Sequence, residues 1–165
     1  MTSIADMGIE IERKFLLRDD SWRNKVERQD KIQQGYLANS ALASVRIRVF
    51  GEQANINIKS RDLGVQRSEY EYPIPVEEAR ELLATLCDKR QIDKTRHYVS
   101  HAQHSWEIDE FHGDNQGLVV AELELKAKDE SFSEPQWLGK EVTQEERYYN
   151  IALVDNPYCD WDLRD

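Results

Sequence analysis

Polar and apolar side chains alternate with a period of two through much of this chain. In the stretch 9–17, IEIERKFLL, Glu10, Glu12 and Lys14 share one parity, and Ile9, Ile11, Arg13 and Phe15 the other. A strand points alternate side chains to opposite faces, so this run predicts a β-strand with two carboxylates and an ammonium on one side. The pattern recurs in SVRIRVF (44–50), NINIKS (55–60), SEYEYPI (68–74), DKTRHYV (93–99), SWEIDEF (105–111) and VAELELKA (120–127). Turn signals at 51–53, 61–64 and 112–117 separate these runs, as expected of antiparallel hairpins.

Helical spacing is rarer. PVEEARELLATLC (75–87) begins at Pro75 and sets Ala79, Leu82, Leu83 and Leu86 along one face. A short helix is predicted over 20–28 with Asp20 as its N-cap. A third is predicted over 143–155, opened by a Thr143-x-x-Glu146 capping box. The expected fold class is α+β, mostly antiparallel strands with a few helices covering one side. With no Pro/Gly-rich linker, no repeat and 165 residues, one domain over 1–165 is expected, with a core at about 8–155 and a tail at 156–165.

An antiparallel sheet often has one solvated face, which accounts for any single charged run. Together the runs say more. Their shared faces carry eight carboxylates, Glu10, Glu12, Glu69, Glu71, Glu107, Asp109, Glu122 and Glu124, and seven cations, Lys14, Arg46, Arg48, Lys59, Lys94, Arg96 and Lys126. Little Ser, Thr or Gln dilutes them. If the sheet closes with its apolar face outward, these charges line a wide, wet lumen. Carboxylates at i, i+2 stand about 7 Å apart along a strand, so pairs from two strands are needed to converge on a cation. Oxygen ligands without thiolate suit Mg²⁺ or Mn²⁺. Arg46 and Arg48 suit phosphate, which guanidinium grips bidentately. A site with both signs implies a ligand that needs both, and metal-bound polyphosphate fits.

Net charge narrows the alternatives. At a formal −10 and pI near 4.9, the chain lacks the basic field that nucleic acid or an anionic membrane attracts. The amino terminus shows no apolar signal segment, no run suggests a membrane span, and Cys87 and Cys159 do not form a C-x-x-C pair. A cytoplasmic location with free thiols is expected. His97, His101, His104 and His112 fall within sixteen positions but lack a zinc pattern, and are read as solvated loop histidines. The four tryptophans are read as packing residues. Either helices or a second copy, in a homodimer, would cover the apolar strand face.

Glu10-Ile11-Glu12-Arg13-Lys14 matches an E-x-E-x-K signature, followed in order by QGYL (34–37), VRIR (45–48), IKS (58–60), RSEYE (67–71), KTR (94–96), EID (107–109), ELEL (122–125) and WLGKEVTQEERYYNIAL (137–153). This ordered series spans most of the chain and resembles the CYTH superfamily, the triphosphate tunnel metalloenzymes, in its short bacterial tripolyphosphatase-like form. The resemblance implies a closed eight-stranded antiparallel β-barrel that binds a triphosphate compound with divalent metal and hydrolyses a phosphoanhydride. It implies Glu10, Glu12, Glu122 and Glu124 as metal ligands. Lys14, Arg46, Arg48, Lys59 and Arg96 would grip phosphate, with Lys94 and Arg67 as helpers. Glu69, Glu71 and Asp109 would line the tunnel, and Lys14, Glu71 and Asp109 would serve the chemistry. Glu141 matches an acidic position in the last motif. Inorganic tripolyphosphate is the leading substrate. Thiamine triphosphatase, class IV adenylyl cyclase and a non-catalytic polyphosphate or nucleotide binder are the alternatives.

Overall fold

A computed structural model describes residues 8–162 of the chain. Residues 1–7 and 163–165 lie outside that range, and with them the start of the amino-terminal segment and the end of the expected tail. Nine strands follow in sequence: β1 (Ile9–Leu17), β2 (Arg28–Asn39), β3 (Ala43–Phe50), β4 (Gln53–Ser60), β5 (Gln66–Pro73), β6 (Ile92–His101), β7 (His104–Phe111), β8 (Val119–Glu124) and β9 (Leu138–Glu141). They are joined in the order β5-β4-β3-β2-β6-β7-β8-β1-β9, and a further β1–β5 pairing closes the first eight into an antiparallel barrel. The closed eight-stranded barrel expected from the resemblance is therefore present, with β9 as an addition.

β1 is the seam. One edge pairs with β8 from Glu12 to Leu16. The other edge is shared: Ile9, Glu10 and Ile11 pair with β5, then Phe15 and Leu17 pair with β9 across an irregular register. Gly139 permits the close approach of β9, because a Cβ there would stand 2.8 Å from the Leu16 carbonyl oxygen.

Seven strands follow the period-two reading. β8 stops early, at Glu124; the Lys126 amide donates to Glu130 and the chain turns away from the barrel, so Lys126 does not share the lumen. β2 and β9 were not foreseen. In β2 the inward residues Ile32 and Tyr36 are apolar while the outward Gly35 must stay small: its Cβ would meet Leu83 and Cys87 at 3.1 Å. That inverts the polar-in pattern and hides the strand.

The apolar face does point outward, into two buried clusters, and a third fills one end of the barrel. Trp106 and Trp137 meet edge to face at 5.4 Å in a cluster that also takes in Phe15, Trp22 and Leu123. Helix α1 (Val76–Thr85) lays Ala79 and Leu83 on Ile47 and Ala54. The third cluster blocks one end of the barrel. There the inward residues Tyr36, Ile92, Phe111 and Val120 pack with Leu153 and Val154 of helix α2 (Asn150–Asp155).

Two helix expectations are corrected. Residues Ser21–Lys25 form a 3-10 turn rather than a helix over 20–28, and Asp20 makes no capping bond; Asp19 accepts from the Ser21 amide at 2.8 Å instead. The segment 143–155 is a 3-10 turn (Glu146–Tyr148) followed by α2, with no capping box. The Thr143 hydroxyl is not available to cap, because it accepts from the Lys14 amide at 3.0 Å and donates to Glu141 at 2.8 Å.

Candidate functional site

The barrel encloses a cavity of about 480 Å³. Its wall carries Glu10, Glu12, Lys14, Arg46, Arg48, Lys59, Arg67, Glu69, Glu71, Arg96, Glu107, Glu122 and Glu124. The register explains the collection, since directly opposed residues of neighbouring strands share a face. Lys14 stands opposite Glu122, Glu12 opposite Glu124, Lys59 opposite Glu69, Glu10 opposite Arg67 and Arg96 opposite Asp109. Closure turns these ladders into one inward charged surface.

Several cations are held by carboxylates. Lys14 Nζ lies 2.6 Å from Glu122 and 3.5 Å from Glu12. Burial works against its charge, but Glu122 and Glu12 outweigh it and raise its pKa. Lys59 reaches Glu10 at 3.0 Å and Glu69 at 3.6 Å, and Arg67 reaches Glu10 at 3.4 Å. Arg96 forks onto both oxygens of Asp109 at 2.8 Å and also touches Glu107 at 2.5 Å and Glu122 at 3.2 Å.

Arg46 and Arg48 differ. Among the described residues neither has a carboxylate within ion-pair distance. Arg48 donates only to the Gln34 amide oxygen, at 3.0 Å, and the Nε of buried Arg46 has no partner. Burial, then repulsion from Arg46 and Arg96, pulls the Arg48 pKa down to about 10. Two desolvated guanidiniums without counter-charge favour an anion between them.

The carboxylates show the opposite excess. Glu124 has no cationic partner among the described residues, and burial together with Glu10, Glu107, Glu12 and Glu69 pushes its pKa up to about 7, although its side chain still reaches solvent. Glu12 is raised by burial and then by Glu122 and Glu10, and Glu107 mainly by burial. The donors are all oxygen, and Glu12 directly faces Glu124, so the chemistry fits a hard divalent cation. No three carboxylate, imidazole or thiolate groups of the described residues form a ready-made metal cage. Glu10, Glu12 and Glu122 are instead drawn toward lysine or arginine, contacts that a cation and a polyanion together would exchange.

Asp109 and Lys94 do not line the cavity as expected. Both are fully buried, with Lys94 Nζ 2.6 Å from Asp109 and 3.0 Å from the Asn150 side chain. Across one ladder each, Asp109 faces Val120 and Lys94 faces Phe111, both of which belong to the apolar end under α2. Burial lowers Lys94 to about 7; for Asp109 burial is outweighed by Arg96 and Lys94, which bring it to about 2. Glu71 does reach the wall, where its carboxylate accepts from Asn57 at 3.1 Å. Glu141 stays outside and takes a two-pronged bond from Arg13 at 2.8 and 2.6 Å.

Sequence reasoning missed Gln34, Asn57 and Tyr149 as wall or supporting residues. Asn57 has the parity of Lys59, and that signal was sufficient to find it. Gln34 and Tyr149 could not be oriented before β2 and the 149–150 turn were known. The histidines do not converge, and His97 is buried on β6 against Trp22 rather than solvated in a loop.

Comparison with known proteins agrees with this geometry. The CYTH domain pattern matches residues 8–155. An inorganic triphosphatase of Acetivibrio thermocellus is 43% identical over 152 residues, covering 92% of this chain and 97% of that protein. An inorganic triphosphatase of Nitrosomonas europaea is 34% identical over 151 residues, covering 88% and 96%. A crystal structure of an inorganic triphosphatase superposes with a TM-score of 0.63 at 31% identity, covering 88% of this chain and 93% of that one.

Proposed function

The chain belongs to the CYTH domain family, and from that premise we propose that it is an inorganic triphosphatase, hydrolysing a phosphoanhydride of tripolyphosphate with a divalent cation, Mg²⁺ or Mn²⁺. The carrying observation is that one cavity holds two guanidiniums without counter-charge, buried Arg46 and half-buried Arg48, and a glutamate without a cation among the described residues, Glu124. A ligand that satisfies both is a metal-bound polyphosphate.

Arg46 and Arg48 would bind phosphate oxygens without first breaking an ion pair. Lys14, Lys59, Arg67 and Arg96 would follow by exchanging carboxylate partners for phosphate. Glu12 and Glu124, with Glu10 and Glu122, would hold the cation. When bound, that cation would neutralise phosphate oxygens and acidify a coordinated water. The cations fixed around the chain stabilise charge spread over the oxygens of a loose phosphoryl-transfer transition state. Glu71, on the wall and bonded by Asn57, would orient the attacking water. Asp109 acts at one remove: its bonds to Arg96 and Lys94 fix those cations.

No helix of the described residues is long and apolar enough to cross a membrane, and the free thiols of Cys87 and Cys159 suit a reducing cytoplasm. If the protein is a homodimer, the outer face of β5, where Tyr70 and Tyr72 are half exposed, is where a second copy would pack.

The test is phosphate release from tripolyphosphate, ATP, thiamine triphosphate and pyrophosphate with Mg²⁺, with Mn²⁺ and with EDTA. Metal-dependent turnover fastest on tripolyphosphate is expected. Preference for an organic triphosphate would move the substrate, and silence on all four would refute hydrolysis.

A further inference from the structure

Lys14 is held by more than its ion pairs. It sits on β1 where the neighbouring strand changes from β5 to β9, so its backbone lacks a regular partner on that edge. Residues 142 and 143 fill the gap: the Val142 amide donates to the Lys14 carbonyl at 2.8 Å, and the Lys14 amide donates to the Thr143 hydroxyl at 3.0 Å. Tyr149, on the turn before α2, is tied to the same segment. Its hydroxyl donates to the Thr143 carbonyl at 2.7 Å. The ring then lies in the cavity wall, 94% buried, with Lys14 Nζ 5.0 Å and Arg67 Cζ 4.9 Å from its centroid.

Both cations are thus within the range at which an aromatic face attracts a positive charge. A carboxylate at this place would neutralise them and compete with phosphate. An aliphatic side chain would remove this attraction and leave Lys14 to Glu122 and Glu12, and Arg67 to Glu10, as their only ion-pair holds among the described residues. An aromatic ring does neither. It attracts each cation through its quadrupole and adds no negative charge of its own to compete with phosphate.

We propose that Tyr149 is a positioning residue for the phosphate site: its ring holds Lys14 and Arg67 in place for the substrate without neutralising either. The inference rests on the triphosphatase reading, and extends it to a residue outside the charged ladders.

The test compares full-length wild type, Tyr149→Phe, Tyr149→Leu, and a protein with a ring-fluorinated phenylalanine at 149. Steady-state kinetics on tripolyphosphate with Mg²⁺ would be read beside tripolyphosphate affinity in EDTA by calorimetry. Circular dichroism would check folding. Fluorination keeps the ring's shape and weakens its electrostatic face, so a packing role would not respond to it. The expected kcat/KM falls about threefold in Tyr149→Phe, through loss of the tether to Thr143. It falls further with fluorination, and by about ten- to a hundredfold in Tyr149→Leu, the range that two weakened cation–π contacts span. Affinity in EDTA should follow the same order.

If the fluorinated and unfluorinated rings perform alike, or if folded Tyr149→Leu stays within twofold of wild type, the proposal is overturned. A wild type that binds tripolyphosphate without hydrolysing it would refute the parent reading alone, and the affinity series would still decide the role of Tyr149.

Discussion

Asp109 offers the sharpest check on this account, because its carboxylate is fully buried and does not itself line the cavity, but holds the wall residue Arg96 from behind. It accepts two 2.8 Å bonds from Arg96 and one of 2.6 Å from Lys94. Asp109→Asn keeps the shape and removes the charge. Arg96 retains Glu107 and Glu122, but Lys94 is left with only the Asn150 oxygen in a site that already disfavours its proton. Breaking a buried pair on one side costs about 3–5 kcal/mol. At about 2–4 °C per kcal/mol for a chain of this size, the melting temperature should fall by roughly 6–20 °C.

The pH dependence has a definite sign. The folded Asp109 pKa, about 2, lies below its unfolded value near 3.9, so its contribution is present above pH 4 and lost as pH falls toward 2. Without it the folded Lys94 pKa drops further below about 7, so the folded variant binds fewer protons than wild type in acid. The deficit should therefore widen from pH 8 to pH 5.5. Adding Lys94→Met to Asp109→Asn removes the stranded ammonium and should restore about half the loss. Thermal melts by circular dichroism at the two pH values decide the matter. A fall under about 3 °C, or a double variant as unstable as the two losses summed, would refute the reasoning.

Glu124→Gln removes a charge that burial and four other glutamates oppose. Its folded pKa, about 7, is raised above the unfolded value, so the ionised form costs stability as pH rises through 7. The metal-free variant should melt higher than wild type at pH 8, by a margin that narrows as pH falls and closes only below the unfolded carboxyl value near 4.5. Its Mg²⁺ affinity, read by calorimetry, should fall at least about tenfold, the lower end of what loss of even an outer-shell partner costs; unchanged affinity would remove Glu124 from the metal site. Gly139→Ala would drive a methyl to within 2.8 Å of the Leu16 carbonyl oxygen and lift β9 from β1. A loss of about 1–3 kcal/mol is expected from such overpacking, and a denaturant titration showing no loss would mean that β9 adjusts freely.

Much of the site was legible because strand parity is a local property. Once Glu10, Glu12 and Lys14 fall on one face, neighbouring strands must present Glu122 and Glu124, or Arg46 and Arg48, to the same face. Alternation also marked the outward apolar residues, and the ordered motifs identified the barrel to which they belong. Helix α1 was visible for the same reason, since Ala79 and Leu83 repeat at helical spacing. β2 was not visible, because its inward residues include Ile32 and Tyr36 and its outward Gly35 answers to a helix more than forty residues away.

What the tertiary structure alone decided is depth, closure and competition for hydrogen bonds. Lys94 and Asp109 have the right parity for the lumen, but parity does not give height along the barrel. The stagger of the strands places them at the end filled by α2, so they brace the wall from behind. Thr143 reads as a helix cap in sequence, yet closure brings the unpaired amide of Lys14 within 3.0 Å and takes its hydroxyl. Tyr149 reads as one more apolar helix position, and lies against two cations because β1, β5 and the 141–149 segment meet at the seam. Side-chain direction is set by the residue's own backbone; its neighbours are set by registers that join residues more than a hundred positions apart.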